Sequence, residues 1–432
     1  MSSGEPALLR VVGFWPLAAS VINMSIGGSL YVLQGTFAGT LGVAAPLVFL
    51  LGALVFVPVT MCFAAAGSRV SSTGGAYSYV RAAFGPFPSF VTGAVFWVAN
   101  VAGAGSLAAA LIDQAALILP PVSQPVPRGV VIAITYCLLC ILNARGIRTG
   151  AFAIVVLATV KLLPLVILAV FGGAQVHLVN FHGSAAVTWS TVGSAMVLVI
   201  FCYSGMEVAL SPSGEIQNPS RVVPRAALTG IAAVVALAIT LQAVAQGVLG
   251  GRLADNPAPL AAVADNLLSG SYGAILFAAS VSMFGILQGD LVGSSRLLYA
   301  LAQDGYLPST LSHVTARRRV PLPALVAHAV AVTVLTILGS FKSLALMAGG
   351  GMCIVYLGGC TAAWQLQRRD IREQGAPFML PGGPVIPLVT CVALILILTT
   401  LEKPEWRAIG YSLLVVIALY AAAQWRREVS KN

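Results

Sequence analysis

Charged side chains are scarce in this sequence. Asp, Glu, Lys and Arg make up 8% of the 432 residues, against about a quarter in an average soluble domain. Apolar residues make up 58%, and the mean hydropathy is +0.94. So few polar groups cannot cover the surface of a soluble globular protein, which excludes that class and predicts an all-α polytopic membrane protein.

The sequence also lacks the motifs of enzymes and of nucleotide-driven pumps. It contains no phosphate-cradling loop, no cluster with metal-ligand spacing and no nucleophile beside a base. The seven cysteines are odd in number and lie almost entirely in apolar segments, which argues against a disulfide framework. We therefore expect a protein that is not an enzyme and that holds no cofactor and no metal.

Basic residues outnumber acidic ones, but they form no patch for nucleic acid, and we expect no nucleic-acid partner. Of the 23 Lys and Arg residues, 17 fall in one set of alternate loops and tails and five in the other, with Lys161 inside an apolar run. By the positive-inside rule, this asymmetry predicts a multi-pass protein of the cell (inner) membrane with both termini in the cytoplasm.

About twelve apolar runs are long enough to cross a bilayer, for which a helix needs about 20 residues. The fourth, ninth and eleventh runs are short. The predicted spans are 11–37, 43–66, 87–112, 130–142, 151–171, 191–211, 226–249, 273–301, 322–338, 343–364, 385–400 and 409–423.

Two of these spans are interrupted at their centres by glycine and polar residues. Glycine is a poor residue for a helix interior, and a break inside the membrane frees backbone amides and carbonyls. Two broken spans far apart in sequence point to the binding site of a transporter, whereas close packing of helices through small residues is the alternative. The interrupting residues are Asn23, Ser25, Gly27, Gly28 and Ser29 in the first span, and Tyr203, Ser204 and Gly205 in the sixth.

The segment between the second and third spans carries a specific resemblance to a known family. Residues 66–86 read AGSRVSSTGGAYSYVRAAFGP, which resembles the signature loop of the amino acid/polyamine/organocation (APC) permeases. Residues 26–35, IGGSLYVLQG, resemble the first helix of that family, with Gly28-Ser29 in inverted order and Gln34 in place of a common proline. Residues 203–225 and 295–308 are similar to its sixth-helix exit and eighth-helix ending.

The resemblance implies a LeuT-like fold of two inverted five-helix repeats. The repeats would cover roughly 11–171 and 191–364, within a ten-helix transport core at 1–365, and residues 366–432 would add two helices and a short tail. The first helix of each repeat, helix 1 and helix 6 of the chain, would be unwound at the membrane midplane. The implied activity is secondary active transport of an amino acid or related amine by alternating access, independent of sodium, through proton-coupled symport or exchange.

An amino acid brings a carboxylate and an ammonium that both need partners. The half-helix that begins near Gly27 offers unpaired amides to the carboxylate, and the carbonyls near Ser25 and at 201–204 suit the ammonium. By resemblance Phe201 is an aromatic gate over the ligand, and an ordinary packed aromatic is the alternative. The predicted substrate-binding residues are Ser25, Ile26, Gly27, Gly28, Ser29, Asn100, Phe201, Cys202, Ser204 and Asp290.

Three ionisable residues are predicted inside spans, where each costs about 2.5 to 3.5 kcal/mol and so needs a reason. Lys161 matches a fifth-helix lysine whose ammonium takes the place of sodium in related permeases; the alternative is a lysine that snorkels to the interface. Glu207 is expected to brace the sixth-helix break through bonds to the first helix, or to carry a proton. Together with Tyr203, these two residues are the predicted coupling and gating group.

Asp290 leaves three possibilities open. It could pair with a cationic substrate, it could be protonated during transport, or it could form a hydrogen bond between helices with Asn100 or Gln288. The partners expected for the protein are a small-molecule substrate and the lipid bilayer, and the oligomeric state is left open.

Other functions remain as alternatives to an amino acid transporter. These are a facilitator or channel for a small polar or cationic solute, which would need a continuous polar pore, and a polyamine or amine exchanger. A membrane sensor or enzyme would need a soluble domain, and the tail after Ala423 has only nine residues.

Overall fold

The computed structural model describes residues 12–70, 74–144, 151–182, 187–210, 216–315, 320–373 and 375–429. Across these residues the chain is built of α-helices joined by short turns and 3-10 segments, and the β-type pairing among them is a single bridge between Val12 and Ile216. The helices are α1 Phe14–Ser25, α2 Ser29–Leu41, α3 Ala45–Arg69, α4 Ala76–Phe84, α5 Pro86–Ile118, α6 Pro125–Ala144, α7 Ala151–Gly172, α8 Trp189–Tyr203, α9 Met206–Ala209, α10 Pro219–Leu249, α11 Pro259–Leu267, α12 Tyr272–Gln303, α13 Leu322–Leu338, α14 Phe341–Arg368, α15 Val385–Leu398 and α16 Lys403–Val429.

Some residues used in the sequence predictions lie outside the described ranges. They are Gly214 and Glu215 of the sixth-helix motif, and Arg10, Arg145, Arg148, Arg317, Arg318, Arg319 and Lys431 of the basic residues predicted to be cytoplasmic.

The all-α polytopic fold is confirmed. Seven helical stretches within the described ranges are long and apolar enough to cross a membrane, and one of them, Ser29–Arg69, runs through both α2 and α3. Further candidate spans are two shorter apolar helices, Thr159–Gln175 and Leu322–Leu338, and the bent pair α15 and α16. Each of the twelve predicted spans contains at least one helix, with α1 and α2 sharing the first and α8 and α9 the sixth.

The packing of the helices fits two five-helix repeats. Four of the five pairs of counterparts lie in contact: α3 with α10, α5 with α12, α6 with α13, and the broken pair α1 and α2 with α9 and α8. Two short helices, α4 and α11, each have nine residues and occupy equivalent places in the two halves. The repeat boundaries at 11–171 and 191–364 remain a prediction, and these contacts are what a two-fold relation between the halves would produce.

Residues 66–86, interpreted from sequence as a connecting loop, contain the helix α4. Its inner face is buried against α5 and α14, and Tyr77 and Tyr79 are both buried. Tyr77 donates a hydrogen bond to the carboxylate of Asp304, just after α12, and Arg81 forms an ion pair with the same group at 2.7 Å. The segment therefore fastens α4 to the end of α12.

Candidate functional site

The first break lies between α1 and α2. Ile26 has extended backbone, and the N–H of Gly27 bonds back to the carbonyl of Ser25 at 3.1 Å, so helical bonding stops there. Helix α2 begins at Ser29, two residues later than predicted. Among the described residues no backbone carbonyl accepts from the N–H groups of Gly28 and Ser29, so the start of α2 presents free donors, as the unpaired first turn of a helix does.

The second break lies between α8 and α9. Ser204 is extended and Gly205 has φ +128°, a conformation that L side chains rarely adopt. A Cβ at Gly205 would lie 2.4 Å from the carbonyl oxygen of Met24. Glycine is therefore required for the second break to lie directly against the end of α1, and the two breaks form one site.

The second break supplies acceptors where the first supplies donors. Within the described part of the chain, no donor reaches the carbonyls of Cys202 and Tyr203, while the hydroxyl of Ser204 bonds to the carbonyl of Phe201 at 2.7 Å. The Ser25 hydroxyl is buried and has no partner among the described residues. Free amides, free carbonyls and a free hydroxyl thus lie on the segments that the contact of Gly205 with Met24 brings together.

Apolar side chains of two other helices pack against the first break. A Cβ at Gly27 would lie 3.0 Å from Ile286, and one at Gly28 would lie 2.3 Å from Met283 and 3.2 Å from Leu107. These side chains belong to α12 and α5. The side chains of Ser29, after the first break, and Cys202, before the second, lie close to each other.

The structure therefore brings together most of the predicted substrate-binding residues. Phe201 belongs with them: it is 9% exposed, and its ring lies 3.3 Å from the Cβ position of Gly103 on α5. Asn100 lies on α5 three positions before Gly103 and is half-buried. The residues at the junction of the breaks are Ser25, Ile26, Gly27, Gly28, Ser29, Phe201, Cys202 and Ser204.

Lys161 connects α7 to the first break. Its ammonium donates to the carbonyl of Asn23, which the end of helical bonding in α1 leaves free, and its side chain is 4% exposed. The hydroxyl of Tyr31 on α2 donates to the Lys161 carbonyl at 2.6 Å. The alternative of a lysine snorkelling to the interface is wrong, because the ammonium is held inside the bundle.

Glu207 braces the second break, but through a different helix from the one predicted. Its carboxylate accepts from the N–H of Gly205 at 2.9 Å and from the hydroxyl of Tyr356, on α14, at 3.1 Å. Tyr203 is turned away from the breaks, since its hydroxyl donates to the carbonyl of Phe49 on α3 at 2.9 Å. These contacts attach the two sides of the break to α14 and α3.

Asp290 belongs to a separate group of residues. Its carboxylate oxygens lie 2.8 Å from Nε2 of His328, on α13, and 2.8 Å from the hydroxyl of Ser294. Of the three possibilities for Asp290, the bond between helices was given the wrong partner, because Asp290 bonds to His328 and Gln288 pairs with Asn143 on α6. The sequence analysis missed His328, although a histidine within an apolar helix is the same signal that selected the other three ionisable residues.

Comparison with known proteins shows similarity to amino acid permeases and transporters. The amino acid permease family matches residues 12–423. The chain is 25% identical to the serine/threonine exchanger SteT of Bacillus subtilis over 97% of both chains, and 24% identical to the branched-chain amino acid permease BcaP of the same organism over 97% of this chain and 95% of that one. It is 24% identical to the chloroplastic cationic amino acid transporter 9 of Arabidopsis thaliana over 72% of this chain and 58% of the relative. All three relatives are transport proteins by name.

Proposed function

This chain belongs to the amino acid permease family, and we propose that it is a secondary transporter that carries a neutral amino acid by alternating access. The observation that carries the proposal is the meeting of free N–H groups at Gly28 and Ser29 with free carbonyls at Cys202 and Tyr203. The amides and the positive end of α2 suit a carboxylate, and the carbonyls suit an ammonium. Both ends of an amino acid are then desolvated in one place.

A neutral side chain is the best match to the walls of this site. Met283, Ile286 and Leu107 surround the first break, and they offer apolar surface to a ligand. Glu207 and Asp290, the acidic residues nearest the breaks along α9 and α12, have both carboxylate oxygens bonded within the protein. A cationic side chain or a polyamine would need a free carboxylate, so these contacts favour a neutral amino acid over the cationic substrate considered from sequence.

We propose further that transport is independent of sodium. A sodium ion needs several oxygen ligands, and a carbonyl freed by a broken helix is a usual one. The ammonium of Lys161 already takes the carbonyl of Asn23. The positive charge that a bound cation would supply at this junction is therefore part of the chain, which leaves exchange or proton coupling as the energy source.

The proposed orientation places both termini in the cytoplasm of a cell (inner) membrane. It rests on the 17 to five distribution of basic residues between the two sets of loops and tails. In this orientation α4 and the end of α12 lie on the cytoplasmic side.

The test is thermal stabilisation of the purified protein by the common L-amino acids and by the amines that they form on decarboxylation. A ligand that binds the folded state at about 100 times its Kd adds about 2.7 kcal/mol to the unfolding free energy. We expect neutral L-amino acids to raise Tm and their amines to have no effect, because the amines lack the carboxylate for Gly28 and Ser29.

Ser25→Ala should weaken this rise in Tm, because it removes the free hydroxyl at the first break, and the exposed Thr240→Ala is the matched control. Stabilisation by amines or by cationic amino acids alone would contradict the proposal.

A further inference from the structure

A second polar group, which we call the Asp–His cluster, lies beside the substrate site. It consists of Asp290 and Ser294 on α12, His328 on α13, Tyr136 on α6 and Trp97 on α5. The Asp290 side chain is 14% exposed and the His328 side chain is 0% exposed, and the two are 2.8 Å apart. A buried carboxylate and imidazole at the level of the membrane are costly, and such pairs usually have a function.

The cluster contains more hydrogen-bonding capacity than the described residues use. Nδ1 of His328, the hydroxyl of Tyr136 and Nε1 of Trp97 are all buried without a partner among those residues. The Trp97 and His328 rings are 6.2 Å apart in an edge-on arrangement, and Tyr136 interacts electrostatically with Asp290. His328 thus has one nitrogen held by Asp290 and a second one able to take a proton.

The charge of the pair depends on one proton. With a neutral imidazole and an ionised carboxylate the pair carries one net negative charge, and with one more proton it is neutral overall. Burial is more costly for a pair with a net charge than for a pair that is neutral overall. Because Asp290 is the partly exposed member, opening of the site on that side would hydrate its carboxylate and favour release.

Tyr136 on α6 and Trp97 on α5 lie beside the Asp290–His328 pair. The charged groups on the helices that pack against this pair either bond to other residues or are exposed. Lys161 on α7 bonds to Asn23, and Arg296, further along α12, is exposed. The other titratable or charged side chains on α5, α6, α11, α12 and the turn after α12 are Asp113 and Arg128, which pair with each other, Asp304, which bonds to Tyr77 and Arg81, and Cys137, Cys140, Asp265, Tyr272, Tyr299, Tyr306 and His313.

The cluster is connected to the substrate site through two helices. On α12, Asp290 follows Ile286 by one helical turn, and Ile286 lies against Gly27. On α5, Asn100 lies about one turn from Trp97, which contacts His328, and about one turn from Gly103, which contacts Phe201. A change in charge at the pair therefore acts on helices that also form the walls of the site.

We propose that the Asp290–His328 pair binds one proton and releases it in each transport cycle, so that a pH gradient drives amino acid movement. The proton comes from water on one side of the membrane and returns to water on the other, and no covalent bond between heavy atoms changes. This inference rests on the proposed function, because a proton cycle drives transport only if the chain is a transporter.

The first experiment is NMR of isotope-labelled histidine in the full chain in lipid nanodiscs, which needs no substrate. The chain has four histidines, and the signal lost in His328→Gln identifies His328. We expect this signal to change with pH between about pH 5 and pH 8, where histidine can charge, and to follow a different titration in Asp290→Asn. A His328 signal that is constant over this range, or unaffected by Asp290→Asn, overturns the proposal.

The second experiment uses proteoliposomes with L-serine, L-threonine and L-leucine as probes. A gradient of about one pH unit can drive about tenfold accumulation when one proton accompanies one amino acid. We expect the natural chain to approach this value for the probe that it carries. Asp290→Asn and His328→Gln should lose the response to the gradient while still exchanging internal for external amino acid.

Asn143→Ala is the matched control, because it removes the neutral hydrogen-bonded pair between α6 and α12 without changing a charge. It should keep the response to the gradient. Exchange by the natural chain with no response to the gradient overturns the proton proposal and leaves the proposed function in place. Absence of exchange with every probe overturns the proposed function, and the NMR measurement then decides separately whether the pair binds a proton.

Discussion

At the scale of single residues, two contacts hold the broken helices together. Gly205 allows α8 and α9 to reach the end of α1, because its φ of +128° and the nearby carbonyl of Met24 leave no room for a side chain. Lys161 satisfies the carbonyl that the end of α1 exposes. Each contact is a local solution to the same problem, which is that backbone groups inside a membrane need partners.

We expect Gly205→Ala to destabilise the protein and to abolish amino acid transport. A strained left-handed backbone costs about 1 to 3 kcal/mol, and the added Cβ would separate the two breaks. Thermal unfolding and transport in proteoliposomes measure the two effects. Gly410→Ala is the control, because nothing lies within 4 Å of its Cβ position and alanine favours a helix. A Gly205→Ala protein with normal Tm and transport would show that the breaks do not need this contact.

Lys161→Met should lower Tm and impair transport. Methionine keeps an unbranched side chain in the bundle but leaves the Asn23 carbonyl without its donor, which costs about 1 to 3 kcal/mol. The exposed Lys342→Met makes the same chemical change outside the bundle and should have little effect. If both substitutions lower Tm equally, the bond to Asn23 is not what stabilises the break.

At the scale of elements, α4 packs against α5 and α14 and is bonded to the end of α12. Tyr77 and Arg81 both contact Asp304, but the two contacts differ in burial. Burial and the hydrogen bond to Asp304 raise the pKa of Tyr77, so Tyr77 remains a donor throughout the physiological range. This contribution to stability is complete below about pH 10, the ordinary value for tyrosine, and declines as pH rises towards the raised pKa.

We expect Tyr77→Phe and Asp304→Asn to increase hydrogen exchange in α4, measured by mass spectrometry, because the helix loses its buried bond to α12. Arg81→Gln should have a smaller effect. The Arg81 side chain is 52% exposed, and exposed ion pairs contribute about 0 to 1 kcal/mol. A larger effect from Arg81→Gln than from Tyr77→Phe would mean that the ion pair holds α4 in place.

At the scale of the whole molecule, the substrate site and the Asp–His cluster share α5 and α12, while the two broken helices are held by α3, α7 and α14. The broken helices can therefore move relative to α5 and α12 only if α3, α7 and α14 move with them, or if the hydrogen bonds to these helices break and form again with other groups. Alternating access in this chain is expected to involve α1, α2, α8 and α9 as the moving elements.

Both termini should be accessible from the same side of the membrane. Twelve predicted spans would return the chain to its starting side, and the distribution of basic residues predicts that this side is the cytoplasm. Epitope tags at the two ends, treated with protease in intact and in opened cells, measure this directly. Cleavage of one tag in intact cells would contradict the number of spans, and cleavage of both would reverse the orientation.

The sequence by itself was sufficient for the class of protein, for the positions of the long apolar helices and for the two breaks, but not for the short helices α4 and α11. Hydropathy, helix length and the cost of glycine inside a helix are properties of short segments. They do not depend on what a segment packs against. For the same reason the residues at the breaks, such as Gly28 and Ser204, could be selected before any contact was known.

The tertiary structure alone decided what the ionisable and aromatic side chains contact. The partner of Asp290 proved to be His328, 38 positions away along the chain, and Glu207 bonds to Tyr356 on α14 where the first helix was expected. A helix of apolar residues carries little information about which of its faces meets which neighbour. That choice is made when all the helices pack at once, because each buried polar group must then find a partner in the same arrangement.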